Sequence, residues 1–207
     1  MSGLKIMFAH RWRLINERLE NKPFLFISER VILYFRTAKC LKHKIQEMRM
    51  EVKQGYAYHI KDEYFEFAHD SNLMQNKERG NYRPTLYCVP DSNSGIYWMI
   101  PISSQYDKFL AIKEKIITKG KPCKGIVLGE FDDRKAAFLL QNMFPVTEQY
   151  LDHIHTKNGN PVPVKQVLQN EIQKNVKFLL ALNAKGIKVT FTNITRLKNK
   201  LLEVEGR

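Results

Sequence analysis

Residues 77–108 read KERGNYRPTLYCVPDSNSGIYWMIPISSQYDK, and the fold turns on how they are parsed. Thr85-Leu-Tyr-Cys-Val89 and Ile96-Tyr-Trp-Met-Ile100 are β-branched and aromatic runs, and Pro90-Asp-Ser-Asn-Ser-Gly95 between them is turn chemistry. The stretch predicts a β-hairpin. Arg83-Pro84 opens its first strand and Pro101-Ile-Ser-Ser104 closes its second, so antiparallel pairing carries a guanidinium and two hydroxyls to the same open end. A guanidinium fork suits phosphate oxygens, and serine hydroxyls add hydrogen bonds as charge grows on them. Arg-Pro and Ser-Ser are also ordinary surface punctuation at strand ends, so the residues alone leave both readings open.

Downstream, Tyr106 to Ile117 predicts a helix with Phe109, Ile112 and Ile116 on one side and Lys108, Lys113 and Lys115 elsewhere, capped by Ser104. Gly125–Phe131 and Ala136–Gln141 predict strands joined by an Asp132-Asp133 turn. A helix over Glu148–Ile154 follows, with His153 and His155 at its end, then a turn over Lys157–Pro161. Val164–Asn183 predicts a long amphipathic helix with the stripe Leu168, Ile172, Val176, Leu179 and Leu180, stopped by Gly186. Ile187–Phe191 predicts a short strand, and Thr192 or Asn193 caps a last helix through Leu202. Upstream, Tyr56–Ile60 predicts a strand, Asp62–His69 a helical turn opened by acidic residues, and Asp70–Gly80 a polar connection.

The 207 residues are 43% hydrophobic, enough for one substantial core, and carry a net charge of +13. That excess favours a polyanionic partner, nucleic acid first, because neutralised phosphates release counterions. It is uneven. Residues 1–49 hold 11 Lys and Arg against 4 Glu. Either they form a basic arm or partner-packing helix, or they lie upstream of a natural start at Met48 or Met50; we favour the second. Between Lys165 and Lys200, eight Lys and Arg face Glu171 alone, so Lys174, Lys177, Lys188, Arg196 and Lys198 are candidate RNA contacts. Lys77, Arg79 and Lys108 join them around the hairpin.

Three scattered cysteines, Cys40, Cys88 and Cys123, suit a reducing compartment without structural disulfides. Cys40 and His43 have metal-ligand spacing but no second pair answers them, and Asp132-Asp133 has no third acidic group at motif spacing. No metal or cofactor is expected. No apolar run approaches the roughly 20 residues that span a bilayer, and no signal peptide opens the chain, so we expect a cytoplasmic protein.

The motifs NYRP (81–84), PISS (101–104), GIVL (125–128) and AAFLLQNMFPVTEQYL (136–151) resemble those of the toxins of type III toxin-antitoxin systems. The family comprises the ToxN, AbiQ, CptN and TenpN branches, and the likeness is greatest to CptN, over roughly Met50 to the end. The resemblance implies an α+β fold, a compact and strongly curved antiparallel sheet like the MazF and Kid barrels, decorated with helices. It implies a domain over 50–207 with metal-independent endoribonuclease activity, and a small repeated, pseudoknot-like antitoxin RNA that the toxin trims and binds, in a closed toxin–RNA hetero-oligomer. Cellular or phage mRNA would be the substrate. Ser103 and Ser104 match the hydroxyl pair after the second proline, and Tyr82 and Arg83 match the polar approach to the first. Where ToxN has a lysine after that proline this chain has Thr85, so the cationic role passes to Arg83, Lys77, Arg79 or Lys108.

The resulting expectation is cleavage of single-stranded RNA by its own 2'-hydroxyl, with Arg83 and a neighbouring lysine offsetting charge and Ser103 or Ser104 bonding the reacting group. His153 or His155 is a candidate for proton transfer, and Tyr82, Tyr106 or Trp98 for base stacking. The alternative is a non-catalytic RNA-binding regulatory module.

Overall fold

The computed structural model describes residues 51–206, apart from Arg79, Ser92 and Asn93. Expectations for residues 1–49 and for Arg79 lie outside the described residues. In chain order the elements are β1 (Ala57–Ile60), α1 (Asp62–Ala68), β2 (Lys77–Glu78), β3 (Asn81–Tyr82), β4 (Thr85–Pro90), β5 (Ile96–Ser103), α2 (Tyr106–Thr118), β6 (Ile126–Phe131), β7 (Arg134–Leu139), β8 (Phe144–Thr147), β9 (Leu151–Ile154), β10 (Thr156–Lys157), β11 (Asn160–Pro161), α3 (Gln166–Ala184) and α4 (Ile194–Glu205).

The hairpin is present. Thr85 pairs with Pro101 and Pro90 with Tyr97, with a register shift between Tyr87 and Val89. It lies at the centre of a seven-stranded antiparallel sheet in the order β6-β7-β5-β4-β1-β9, with β8 also on β5. The outer edge of β5 is shared: Ile102 and Ser103 pair with β7, while Ile96–Met99 pair with β8. A single 3-10 turn, Leu140–Asn142, lets one pass of chain supply both.

Curvature follows from connectivity. Flat, the run β8-β5-β4-β1-β9 would separate its ends by about 19 Å, yet the turn Glu148–Tyr150 alone joins β8 to β9, a reach of at most about 14 Å. The sheet therefore curls. It does not close into the barrel expected from the resemblance, because β9 is paired to β1 and β8 to β5, but not to one another. Tyr64 of α1 fills the opening: fully buried, its ring stacks on Phe144 at 5.3 Å and meets Tyr150 edge-on. Its hydroxyl donates to the Pro145 carbonyl at 2.7 Å.

Two further expectations fail. The segment predicted as a helix over 148–154 is a 3-10 turn followed by strand β9, because β1 offers Leu151–Ile154 a pairing edge. Ile187–Phe191 is not a strand; despite its β-branched residues no edge receives it. Helix α3 buries Ile172, Asn175, Val176 and Leu179 but leaves Val167 and Phe178 exposed, so its apolar residues are not confined to one stripe. It packs closely enough on β6 that a Cβ at Gly129 would meet Leu168 Cδ2 at 2.5 Å. Among the described residues no helix is long and apolar enough to cross a membrane.

Candidate functional site

At the end of β5 the two serines take different roles. Ser103 is fully buried, and its Oγ accepts from Gln105 N–H at 3.3 Å. Ser104 is exposed, and its carbonyl accepts from Tyr106 N–H at 2.9 Å. The cap expected from Ser104 is absent: Gln105 occupies the cap position, without a side-chain cap bond, and the nearby hydroxyl is that of Ser103. Ser104 is thereby left at the positive end of a 13-residue helix, where main-chain N–H groups favour an anion. Lys108 is exposed in the first turn, and Lys135 of β7 lies 5.4 Å from the Tyr106 ring centroid. Lys135 was not singled out from the sequence; only the β5–β7 pairing, with Ser103 against Ala137, brings it here.

Arg83 is 6% exposed. Its Nη1 donates to the Ile102 carbonyl at 3.1 Å and its Nε to the Gln75 carbonyl at 3.3 Å, so the guanidinium fastens the 70–80 connection to the last residues of β5. Tyr82 is 45% exposed, and its hydroxyl donates to Asp62 Oδ2 at 2.8 Å. Lys77 lies 3.4 Å from the same carboxylate and 4.5 Å from the Tyr82 centroid. Hydrogen bonds from the Asn76 amide and Tyr82 hold Asp62 below the usual carboxylate range, and the Tyr82 and Asp62 contacts raise Lys77.

The histidines form a second grouping, which includes one the sequence did not mark. His59 of β1 stacks on His153 of β9, with centroids 4.5 Å apart, and its Nε2 lies 3.1 Å from Nδ1 of His155, one donating to the other. His153 Nδ1 is 2.9 Å from Asp152, and His155 Nε2 is 3.9 Å from Asp132. Burial and the neighbouring imidazoles push His59 down to about 4, and burial lowers His155. Strand alternation separates this cluster from Ser103: Tyr58 pairs with Thr85 and Thr85 with Pro101, so His59 falls in register with Pro84 and Ile102, on the opposite face from Arg83 and Ser103.

Of the remaining cations, Lys174, Lys177, Lys188 and Arg196 are exposed. Lys198 is held at 2.7 Å by Asp91. The last-helix cap is Asn193, whose side chain accepts from Arg196 N–H at 3.0 Å. Burial pushes the Cys88 thiol up to about 12, so it is inert packing. Among the described residues no group of three or more His, Cys, Asp or Glu side chains is placed to hold a metal ion.

Residues 56–205 match the family model for toxin ToxN of type III toxin-antitoxin systems. The chain belongs to the ToxN family. The matched span runs from the residue before β1 into the last turn of α4, so the serine end of β5 and the histidine cluster are both within the ToxN region. The structure of AbiQ, a lactococcal anti-phage endoribonuclease belonging to the type III toxin-antitoxin system, is similar with 17% identity, covering 73% of this chain and 80% of that one at a TM-score of 0.37. No curated protein matches.

Proposed function

We propose that this ToxN-family toxin is an endoribonuclease that cuts single-stranded RNA without a metal ion. It is a cytoplasmic protein acting on cellular or phage mRNA, and it trims and is inhibited by its own small repeated antitoxin RNA in a closed toxin–RNA hetero-oligomer. The observation that carries this reading is Ser104, exposed at the N-terminus of α2 with Lys108 in the same helical turn.

In the reaction, the 2'-hydroxyl of the substrate gives up its proton to solvent as its oxygen attacks the adjacent phosphorus, the bond from phosphorus to the 5'-oxygen breaks, and the departing 5'-oxygen takes a proton from solvent. The products are a 2',3'-cyclic phosphate and a 5'-hydroxyl. Ser104 Oγ donates to a non-bridging oxygen, the first N–H groups of α2 face the same charge, and Lys108 and Lys135 offset it as it grows. Ser103 and Arg83 are positioning residues, one holding the turn into α2 and the other holding the carbonyls around it. Tyr82, half-exposed beside Lys77, offers a stacking face to a neighbouring base. Lys174 and Lys177 belong to a more distant phosphate-contacting surface.

The full chain and its Ser104→Ala variant, incubated with mixed cellular RNA in excess EDTA, test the proposal. Mapping the new ends should reveal cyclic-phosphate termini from the parent protein and a loss of cutting of about 100-fold or more in the variant. Full cutting by the variant would remove Ser104 from the site. A folded parent that binds RNA and cuts none would leave the protein a regulatory binding module.

A further inference from the structure

A cavity of about 650 Å³ lies away from the serines, in a groove between the connection after α1 and the one leading from α3 into α4. Its walls carry Asn72, Asn183, Lys188, Phe191, Asn193 and Arg196. Phe191 is anchored by its main chain, which donates to the Gln141 carbonyl at 2.9 Å, while its side chain is 52% exposed. An aromatic ring held this way on a rigid backbone has surface to offer a flat ligand. The three amides are each half-used. Asn72 donates to Asp70, Asn183 donates to Thr195, and Asn193 accepts from Arg196. Among the described residues Asn72 Oδ1, Asn183 Oδ1 and Asn193 Nδ2 have no hydrogen-bond partner, so one acceptor or donor of each remains for an incoming group. Asp70 fixes the floor by accepting from Asn72 and by lying 3.8 Å from Arg196. Lys188 and Arg196 are exposed at the rim, in a region where eight Lys and Arg face one Glu.

We propose that this groove binds one unpaired nucleotide of single-stranded RNA, its base stacked on Phe191 and read by the amides, its phosphate held by Lys188 and Arg196. The combination fits a nucleotide for three physical reasons. The volume suits a small ligand; an exposed ring beside amides matches how splayed bases are taken up by stacking and edge hydrogen bonds; and the cations stand at the rim, where a backbone would leave the groove. The proposal rests on the reading of this toxin as an RNA-acting protein, but it assigns a contact remote from bond cleavage, one that governs which RNA is retained.

The test uses the full chain and a 5'-labelled single-stranded RNA of mixed sequence bearing 2'-fluoro sugars, which lacks the attacking hydroxyl. At fixed salt, Phe191→Ala should weaken binding about tenfold or more and Phe191→Trp should restore it, while cleavage of unmodified RNA at saturation stays within about twofold of the parent. Unchanged affinity in Phe191→Ala overturns the proposal while leaving the endoribonuclease reading intact. If that variant misfolds, photocrosslinking of 4-thiouridine RNA to the parent protein decides: a crosslink within residues 186–196 is expected, and its absence overturns the site. A parent that shows this binding but never cuts RNA would retain the groove and reject the endoribonuclease.

Discussion

His59 Nε2 and His155 Nδ1 meet at 3.1 Å although 96 residues separate them along the chain, and the contact ties β1, the first of the described strands, to the residue that follows β9. His59 is pushed from 6.5 to about 4, by burial first and then by the charges that His153 and His155 would carry. His155 is also lowered, with Asp132 working against its burial and Lys157 sharing that carboxylate at 3.2 Å. The unfolded chain then binds protons that the folded one resists, so stability is undisturbed above pH 6.5 and declines as pH falls towards 4. Thermal unfolding of the parent and of His59→Gln across this range should show a shallower acid decline in the variant. Parallel curves would mean the cluster does not govern the acid limb.

Tyr64→Phe keeps the stacking on Phe144 and leaves the Pro145 carbonyl without its donor. We expect a loss of about 1–3 kcal/mol, seen as a lower urea midpoint at unchanged slope.

The two serines should separate by measurement. Ser103→Ala removes a buried acceptor at the entry to α2 and should cost about 1 kcal/mol of stability. Ser104→Ala alters an exposed side chain and should stay within about 0.5 kcal/mol of the parent in unfolding. If Ser104→Ala instead unfolds the protein, its effect on cleavage says nothing about chemistry.

Arg83→Lys provides the sharpest test of the arginine. If its guanidinium serves the carbonyls of Gln75 and Ile102, a lysine cannot reproduce the fork, and stability should fall by about 1–3 kcal/mol. Cleavage per folded molecule should then fall only modestly, well short of the loss in Ser104→Ala, because the lysine disturbs the placement of the α2 entry without removing a group from the phosphate. Normal stability with lost cleavage would instead assign Arg83 to the phosphate.

What the sequence disclosed depended on how local its cause was. The central hairpin was legible because alternating β-branched and aromatic runs flank a stretch of turn residues, all within 20 positions. Strand β9 was not, since Leu151-Asp-His-Ile154 is too short to carry a period and pairs with β1 from far away. Ile187–Phe191 failed for the complementary reason, having strand composition but pairing with none of the described strands, the Phe191 N–H going instead to the Gln141 carbonyl in the 3-10 turn. At the site, Ser103 and Ser104 were marked by adjacency to a predicted strand end, but only packing distinguishes the buried hydroxyl from the exposed one. His59 carried no local signal of its partners, and Arg83 was read as a cation facing the phosphate because burial of a guanidinium by main-chain carbonyls leaves no trace in neighbouring residue types.

The order of the sheet also sets an order of synthesis. β1 emerges from the ribosome first of the described strands, yet its second neighbour, β9, is the last strand of the large sheet to be made. Until residue 154 has left the exit tunnel, one edge of β1 has no partner among the described strands, although the ring and carbonyl contacts of Tyr64 are already made by residue 150. A chain that stalls just before that point has already made Ser104 and the strands β4, β7 and β8 that flank β5, so the last strand to be made completes the surroundings of His59 rather than those of Ser104.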